Sequence, residues 1–315
     1  MSFSLDVKNE LAHVMPEKKC CMLAEIAGFI RMCGTISPVG GGKMKLMLIT
    51  ENPATLRHYK KLIKEYYDVD ANIEVGEAAG PKRGKIYVLT MDDRADQLAE
   101  PILRETGMLL VRGGMNYFSD GIYDTLTKSK CCRKAYLRGL FLGSGTISDP
   151  QKSYQLEFIC SSRVLAADIR KLINTFVDLK PKIASRGKNY IVYVQESAQV
   201  GDMLNIMGAH NQFFELEGVR MMKDARNRAN RISNCDNANM DKTLNAAQKQ
   251  IEAIKRLTDE IGMQGLPEKL REVAQNRLDH PDATLQELAD MMNPPMKKSG
   301  LNHRLQKLLE LASKY

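Results

Sequence analysis

Seven cysteines offer the widest choice of chemistry in this sequence, because a thiolate can bind a metal, form a disulfide or act as a nucleophile. They stand at positions 20, 21, 33, 131, 132, 160 and 235. No pair has the Cys-x-x-Cys spacing typical of zinc and redox motifs, and adjacent cysteines rarely ligate one metal. We therefore expect reduced thiols that pack as small hydrophobic side chains, with no metal and no cofactor.

The other candidate catalytic residues lack partners at motif spacing. His13, His58 and His210 have no serine or cysteine placed as in a nucleophilic site, so structural or surface positions are expected. The glycine run 40–42 precedes Lys43 but lacks the Lys-Ser/Thr pair of a phosphate-binding loop, and it predicts a hairpin turn. Catalytic residues are therefore not expected.

The elements around the cysteines occur twice in the chain. Residues 20–37 (CCMLAEIAGFIRMCGTIS) and 131–148 (CCRKAYLRGLFLGSGTIS) share eight of eighteen positions at an offset of 111. The match continues at an offset of 110, where residues 61–63 and 171–173 both read Lys-Leu-Ile. Typical residue usage would give about one identity by coincidence, and the period is too long for a solenoid repeat. A duplicated small domain is predicted.

Both copies predict the same order of elements, αββαββα. In each copy a helix ends at Gly34 or Gly145, and two β-rich segments, an amphipathic helix, a second β pair and a closing helix follow. Small residues recur in the first helix of each copy: Ala24, Ala27, Gly28, Ala135 and Gly139. Because they allow backbones to approach closely, we expect the two helices to pack side by side along a pseudo-twofold axis.

Two nine-residue segments carry a resemblance to a known motif. Residues 26–34 (IAGFIRMCG) and 137–145 (LRGLFLGSG) resemble the LAGLIDADG motif of homing endonucleases. The resemblance implies that the two motif helices form the interface between the halves of the domain. It also implies that an acidic residue just before the last glycine would hold the metals of a phosphodiester hydrolysis.

The acidic positions of that motif are occupied by other residues in this sequence. Mg²⁺ prefers carboxylate oxygen, whereas the matching positions hold Cys33 and Ser144. Asp149 comes after the helix and Glu25 two turns earlier, so neither stands at the motif position. The resemblance thus implies a degenerate domain that has kept the fold and lost the metal site and the nuclease chemistry.

A basic and polar segment follows the second copy. Residues 220–231 (RMMKDARNRANR) carry five Lys or Arg against one Asp, and residues 233–239 (SNCDNAN) are typical of turns. Arg226, Arg228 and Arg231 are candidates for phosphate contacts. A solvated basic face is the alternative interpretation of the same residues.

The remaining residues predict a series of helices. One apolar stripe runs from Leu244 to Ile261, and Pro267 is placed in the first turn of a second helix. Thr284 and Glu287 form a capping box that opens a short third helix. The last helix, about 299–313, carries apolar residues on one side. A short capped helix, a tight turn and an amphipathic second helix match a helix-turn-helix.

The other side of the last helix is rich in hydrogen-bond donors. Its candidate DNA-binding residues are Ser299, Asn302, His303, Arg304, Gln306 and Lys307, with Lys297 and Lys298 just before the helix. Such side chains can bind base edges in the major groove, and the lysines can neutralise phosphates. A plain helical bundle with a solvated outer face is the alternative.

The two halves together resemble the WhiA family of bacterial sporulation and cell-division transcription regulators. Residues 4–11 (SLDVKNEL), 222–231 (MKDARNRANR) and 234–239 (NCDNAN) also look like that family, so the resemblance spans essentially the whole chain. It implies a DNA-binding regulator whose terminal domain is similar to the promoter-reading part of sigma factors.

Composition agrees with a globular DNA-binding protein. The 315 residues include 46 Lys and Arg against 38 Asp and Glu, and the net charge of +8 suggests a polyanionic partner. The 43% hydrophobic content can fill real cores. No stretch approaches the roughly 20 apolar residues of a membrane span, and residues 1–6 do not begin a signal peptide. We expect a soluble, cytoplasmic, nucleoid-associated protein that binds double-stranded DNA and no membrane.

The predicted fold class is α+β: a duplicated αββαββα LAGLIDADG-like domain with pseudo-twofold symmetry, followed by an all-α helix-turn-helix domain. The predicted boundaries are an N-terminal helical segment 1–19, the degenerate domain 20–215 with repeats at about 20–110 and 131–210, a basic connector 216–240 and a helical domain 241–315. The predicted function is sequence-specific, non-enzymatic regulation of transcription.

Two other functions stay open at this point. One is a protein- or RNA-interaction module, since the β-strands are a poor DNA surface: Lys43 and Lys45 alternate on one strand, but residues 154–160 offer only Glu157 as a charge. In that case the duplicated domain binds another protein. The other is a residual metal-dependent nuclease.

Overall fold

The computed structural model describes residues 2–77 and 84–314. The contacts within the chain divide it into two compact units, Met1–Met222 and Lys223–Tyr315. Among the described residues, no helix combines the length and apolar character that crossing a membrane requires.

The first unit confirms the duplicated αββαββα order. It opens with α1 (Phe3–Leu11), which Ser2 caps by accepting from the N–H of Leu5. The first copy consists of α2 (Lys19–Cys33), β1 (Gly34–Gly40), β2 (Lys43–Thr50), α3 (Pro53–Tyr67), β3 (Asn72–Glu77), β4 (Lys85–Asp92) and α4 (Ala99–Glu105). The second copy consists of α5 (Lys130–Ser144), β7 (Gly145–Ile147), β8 (Gln155–Cys160), α6 (Arg163–Ile173), β9 (Lys182–Arg186), β10 (Asn189–Gln195) and α7 (Ser197–Met207).

Each copy forms its own four-stranded antiparallel sheet. The strand orders are β1-β2-β4-β3 and β7-β8-β10-β9, which are equivalent under the repeat. The registers are equivalent as well, because Ile36 pairs with Leu46 and Ile147 pairs with Leu156. Alternate residues of β2 and β8 are buried, as expected for sheets with one face on a core. The sequence repeat is therefore a repeat of structure.

Helices α2 and α5 pack against each other at the centre of this unit. A Cβ atom on Gly28 would lie 2.4 Å from the carbonyl oxygen of Tyr136, and one on Gly139 would lie 2.2 Å from that of Glu25. Neither position has room for a Cβ atom, because the backbone of the other helix occupies that space. Ala24 and Ala27 are fully buried beside them, and the predicted close packing of the two repeat helices is confirmed.

A short hairpin between the two copies was not anticipated from the sequence. Strands β5 (Leu109–Arg112) and β6 (Met115–Phe118) pair with each other, and Gly113 and Gly114 form the turn with φ of 59° and 77°. Positive φ at both turn residues suits glycine and the twist of a two-residue hairpin. Several of its apolar side chains are exposed: Val111, Met115, Tyr117 and Phe118.

Helix α8 (His210–Gly265) contains the unit boundary and has non-helical angles at Gly262. The prediction of turns at residues 233–239 is wrong, because these residues are helical. Asn, Ser and Asp cost a helix less than about 0.7 kcal/mol each relative to Ala. Such small penalties do not by themselves end a helix whose flanking residues include good helix formers.

The second unit has its own apolar core. Its shorter helices are α9 (Glu268–Asp279), α10 (Leu285–Asp290) and α11 (Lys298–Ala312). Buried residues from all of them form one cluster with α8: Ile254, Leu257, Leu270, Val273, Ala274, Leu288, Ala289, Leu301, Leu305 and Leu308. The predicted helical region with an apolar side on each helix is confirmed.

Candidate nucleic-acid interface and the degenerate metal site

Helix α10 begins at the predicted capping box. The hydroxyl of Thr284 accepts from the N–H of Glu287 at 3.3 Å, and the carboxylate of Glu287 accepts from the N–H of Thr284 at 2.7 Å. These two hydrogen bonds give partners to two N–H groups that the first turn of a helix leaves free. Hydrogen bonds from the backbone and the side chain of Thr284 lower the pKa of the Glu287 carboxyl.

Thr284→Ala is expected to lower the free energy of unfolding of the second unit by about 1 kcal/mol, because it removes the cap. Thr243→Ala is the matched control, since Thr243 lies inside α8 and its hydroxyl donates to the carbonyl of Asn239. Chemical denaturation followed by circular dichroism measures both variants. Equal losses would contradict a role for Thr284 in starting α10.

The connections on either side of α10 are fixed by side chains of α9. Arg277 is 2% exposed, and its guanidinium donates to the carbonyl of Ala283 at 2.7 Å. Burial lowers the pKa of Arg277. On the other side, the carboxylate of Glu272 accepts from the N–H of Asn293 at 2.9 Å. Both contacts hold the short helix and the turn that leads to α11.

Helix α11 has the two faces that the sequence predicts. Leu301, Leu305, Leu308 and Ala312 are buried in the core of the unit. The exposed candidates on the opposite face are Ser299, Asn302, His303, Gln306 and Lys307, and Lys297 and Lys298 are exposed at its start. Recurrence at intervals of three and four residues places them along one side of a helix.

Arg304 differs from the other candidates. It is half-buried, and its guanidinium donates to the carbonyl of Lys269 on α9 at 3.4 Å. Part of its hydrogen-bonding capacity therefore goes to the protein itself. The three arginines proposed for phosphates, Arg226, Arg228 and Arg231, are exposed on α8.

The motif positions at the C-terminal ends of α2 and α5 hold side chains bonded to the main chain. The thiol of Cys33 donates to the carbonyl of Phe29 at 3.2 Å, and the hydroxyl of Ser144 donates to that of Ile159 at 2.8 Å. Burial raises the pKa of Cys33, which keeps it a neutral thiol. In the described part of the chain, no group of three or more possible metal ligands forms around these two residues.

A lysine of α1 lies beside Cys33. Burial lowers the pKa of Lys8, whereas the neighbouring Cys33 and Glu51 raise it. The ammonium of Lys8 also lies 6.0 Å from the ring centre of Phe141. A neutral thiol is a poor ligand for Mg²⁺, so the ligand type at Cys33 disfavours a metal there.

Glu25 is buried in an ion-pair network. It is fully buried, and its carboxylate accepts from the guanidinium of Arg138 at 2.6 and 2.9 Å and lies 2.7 Å from Nε2 of His58. Arg138 also donates to the carbonyl of Met207 at 2.9 Å. The carboxylate of Glu25 thus holds α2, α3 and α5 together, and His58 has the structural position expected for it.

The N-terminal ends of α2 and α5 bring four cysteines together. The sulfurs of Cys21 and Cys132 are 3.9 Å apart, although the residues are 111 positions apart in the sequence. Cys20 and Cys131 lie beside them and are exposed. A search for metal-ligand spacing along the sequence misses this cluster. Cys20 and Cys21 belong to the first repeat, and Cys131 and Cys132 belong to the second.

The fold and the site define a class of protein: two LAGLIDADG-like copies followed by a helix-turn-helix. Three family models match the chain, those of the WhiA N-terminal LAGLIDADG-like domain over residues 19–109, the WhiA LAGLIDADG-like domain over residues 133–226 and the WhiA C-terminal HTH domain over residues 229–312. The chain belongs to the WhiA family.

Curated relatives support this assignment over the full length. The chain is 43% identical to a protein of Alkaliphilus metalliredigens over 314 residues, which covers 100% of the chain and 98% of that protein. It is 41% identical to a protein of Clostridium perfringens over 312 residues, which covers 99% and 98% respectively. Both are named "Probable cell division protein WhiA".

Solved structures share the fold. The full-length WhiA protein of Thermotoga maritima covers 100% of this chain and 99% of its own, with a TM-score of 0.59 and 22% identity. The N-terminal LAGLIDADG domain of a WhiA protein covers 66% of this chain and 90% of its own, with a TM-score of 0.50 and 20% identity. These structures confirm the predicted fold class.

Proposed function

We propose that this chain is a sequence-specific DNA-binding regulator of transcription, acting on cell-division and sporulation genes, and that it binds double-stranded DNA mainly through α11. The observation that carries the proposal is the exposed, donor-rich face of α11 on a helix whose other face is buried. The match to an HTH domain and the cell-division name of the relatives support it.

The geometry of the second unit suits entry into a major groove. In a helix-turn-helix the second helix lies in the groove, and its N-terminal residues contact base edges. Asn302 and His303 lie in the first turns of α11, and Gln306 lies one turn further along the same face. Amides and imidazoles can donate to and accept from base edges. Lys297 and Lys298 supply the charge for adjacent phosphates.

The same proposal includes the absence of nuclease activity. Two-metal hydrolysis needs carboxylates that hold the ions, and the motif positions carry a neutral thiol at Cys33 and a hydroxyl at Ser144 that is hydrogen-bonded to the main chain. A catalytically inactive first unit agrees with both observations.

The test uses the full-length protein and two duplexes. One duplex is selected by the protein from a random pool, and the other has the same bases in scrambled order. Asn302→Ala with His303→Ala is expected to lower affinity for the selected duplex about tenfold or more, because each base contact contributes about 1–3 kcal/mol. Affinity for the scrambled duplex should change little. Fluorescence anisotropy at fixed salt concentration measures both.

Two further variants make the result specific. Gln275→Ala changes an exposed residue of α9 and is the matched control. Lys297→Ala with Lys298→Ala is expected to weaken both duplexes alike and to reduce the salt dependence of binding. If the Asn302 and His303 variant kept the wild-type ratio of affinities for the selected and scrambled duplexes, this result would contradict base recognition by α11. Both duplexes should stay intact after incubation with Mg²⁺.

The remaining sequence-based expectations stay predictions. Phosphate contacts of Arg226, Arg228 and Arg231 would fit their exposure on α8. Asn302 and His303 are substituted first because the guanidinium of Arg304 already donates to the carbonyl of Lys269. A protein partner for the duplicated domain, the domain boundaries given above and a nucleoid location are further predictions.

A further inference from the structure

Four cysteines meet across the two repeats at the start of the central helices. Cys20 and Cys21 lie in the first turn of α2, and Cys131 and Cys132 lie in the first turn of α5. Each pair is the equivalent of the other at the repeat offset of 111. Residues close to a twofold axis contact their own equivalents, and Cys21 and Cys132 do so at 3.9 Å between sulfurs.

The sulfurs are close enough to share one ion. Those of Cys20, Cys21 and Cys132 all lie within 4.8 Å of one another. Cys131 is outside that group of three, and its exposed thiol lies 3.1 Å from the hydroxyl of Ser129. In a tetrahedral zinc site, zinc–sulfur bonds of about 2.3 Å place neighbouring sulfurs about 3.8 Å apart. The observed separation of 3.9 Å is close to that value.

The surroundings favour a negatively charged metal–thiolate site. The N-termini of α2 and α5 both lie at the cluster, and helix N-termini stabilise negative charge. A pocket of about 710 Å³ borders Cys21 and Cys131 and is also lined by Lys18, Lys130 and Lys134. Their ammonium groups can offset the charge of zinc bound to four thiolates.

The cluster is both accessible and anchored. Cys21 and Cys132 are 6% exposed, whereas Cys20 and Cys131 are open to solvent. An ion can therefore reach the site from the pocket, and two of its ligands are held by the packing of the central helices. Thiolate sulfur suits zinc, whereas magnesium prefers hard oxygen ligands.

We propose that Cys20, Cys21 and Cys132 form the core of a zinc site that joins the two repeats, and that the exposed thiol of the neighbouring Cys131 moves in as the fourth ligand when the ion binds. Each thiol that ligates the ion releases its proton to solvent, and no electron is transferred. The site lies at the opposite ends of α2 and α5 from Cys33 and Ser144, so it is separate from the motif positions. Its role is structural, because it cross-links the two central helices.

The test is metal binding by the full-length protein after chelation under a non-thiol reductant. Titration with Co²⁺ is expected to produce thiolate-to-cobalt charge-transfer absorption that saturates at one ion per chain. One equivalent of Zn²⁺ should abolish it. Cys21→Ser with Cys132→Ser is expected to weaken Co²⁺ binding at least tenfold. Cys160→Ser with Cys235→Ser removes the same number of thiols outside the cluster and should leave binding unchanged.

A single variant guards against loss of folding. If circular dichroism shows that the double variant is unfolded, Cys20→Ser replaces it, because this exposed residue can change without disturbing the helix packing. It is expected to weaken Co²⁺ binding as well. Absence of the charge-transfer band in the wild-type protein would overturn the proposal. Equal binding by the wild-type protein and the folded cluster variant would do so too.

Discussion

Glu25→Ala is expected to lower the free energy of unfolding of the first unit by about 3–5 kcal/mol, because it leaves the buried guanidinium of Arg138 without its counter-charge. Arg138 is 7% exposed and Glu25 is fully buried, so water cannot replace the lost carboxylate at low cost. His58 would lose its partner at the same time. Chemical denaturation followed by circular dichroism measures the loss.

An exposed ion pair of the same unit is the matched control. Glu100 and Arg104 are 2.7 Å apart on α4, with side chains 39% and 38% exposed. Glu100→Ala should therefore cost less than about 1 kcal/mol. Glu25→Leu with Arg138→Met removes both charges and should cost less than the sum of its single variants. Similar losses for Glu25→Ala and Glu100→Ala would contradict the burial argument.

The fold of the first unit could be predicted because duplication is visible in the sequence. Identities at offsets of 111 and 110 imply equivalent elements, and the registers of Ile36 and Ile147 show that equivalence. The faces of α11 were predictable for a related reason, since a helix with one apolar side exposes the other. In both cases the information is local or repeats at a constant offset.

The ion-pair network and the cysteine cluster could not be derived from local patterns. Glu25 interrupts an apolar helix, and its partners come from α3 and α5, so its surroundings depend on tertiary packing. The cysteines show no metal-ligand spacing along the sequence, because the contact between Cys21 and Cys132 joins one repeat to the other. The sequence did offer one signal of the cluster, the repeat offset together with the expected pseudo-twofold axis. Equivalent residues close to such an axis lie next to each other.

The two errors of sequence interpretation have different physical origins. Residues 233–239 were expected to turn because Asn, Ser and Asp favour turns, yet they are helical in α8. Their preferences are weak relative to the context in which a long helix continues. The hairpin of β5 and β6 was missed although Gly113 and Gly114 marked it, because it lies outside the repeated elements.

Gly139→Ala is expected to lower the free energy of unfolding of the first unit by about 3 kcal/mol, because one methyl group would force α2 and α5 apart. Its Cβ would lie 2.2 Å from the carbonyl oxygen of Glu25 and 2.9 Å from the amide nitrogen of Phe29. Both atoms belong to the backbone, which cannot rotate away as a side chain can. The substitution should also disturb the Glu25 and Arg138 pair, which spans the same two helices.

The same substitution at Gly218 should have the opposite sign. Gly218 also lies in a helix, but nothing is found within 4 Å of a Cβ added there. Alanine has a higher helix propensity than glycine by about 1 kcal/mol, so Gly218→Ala should raise the free energy of unfolding. Chemical denaturation of the two variants measures both changes in the free energy of unfolding. The comparison separates the effect of helix propensity from the effect of the close contact between α2 and α5. A stabilising effect of Gly139→Ala would mean that α2 and α5 can separate at little cost, which would contradict a tightly packed pseudo-twofold interface.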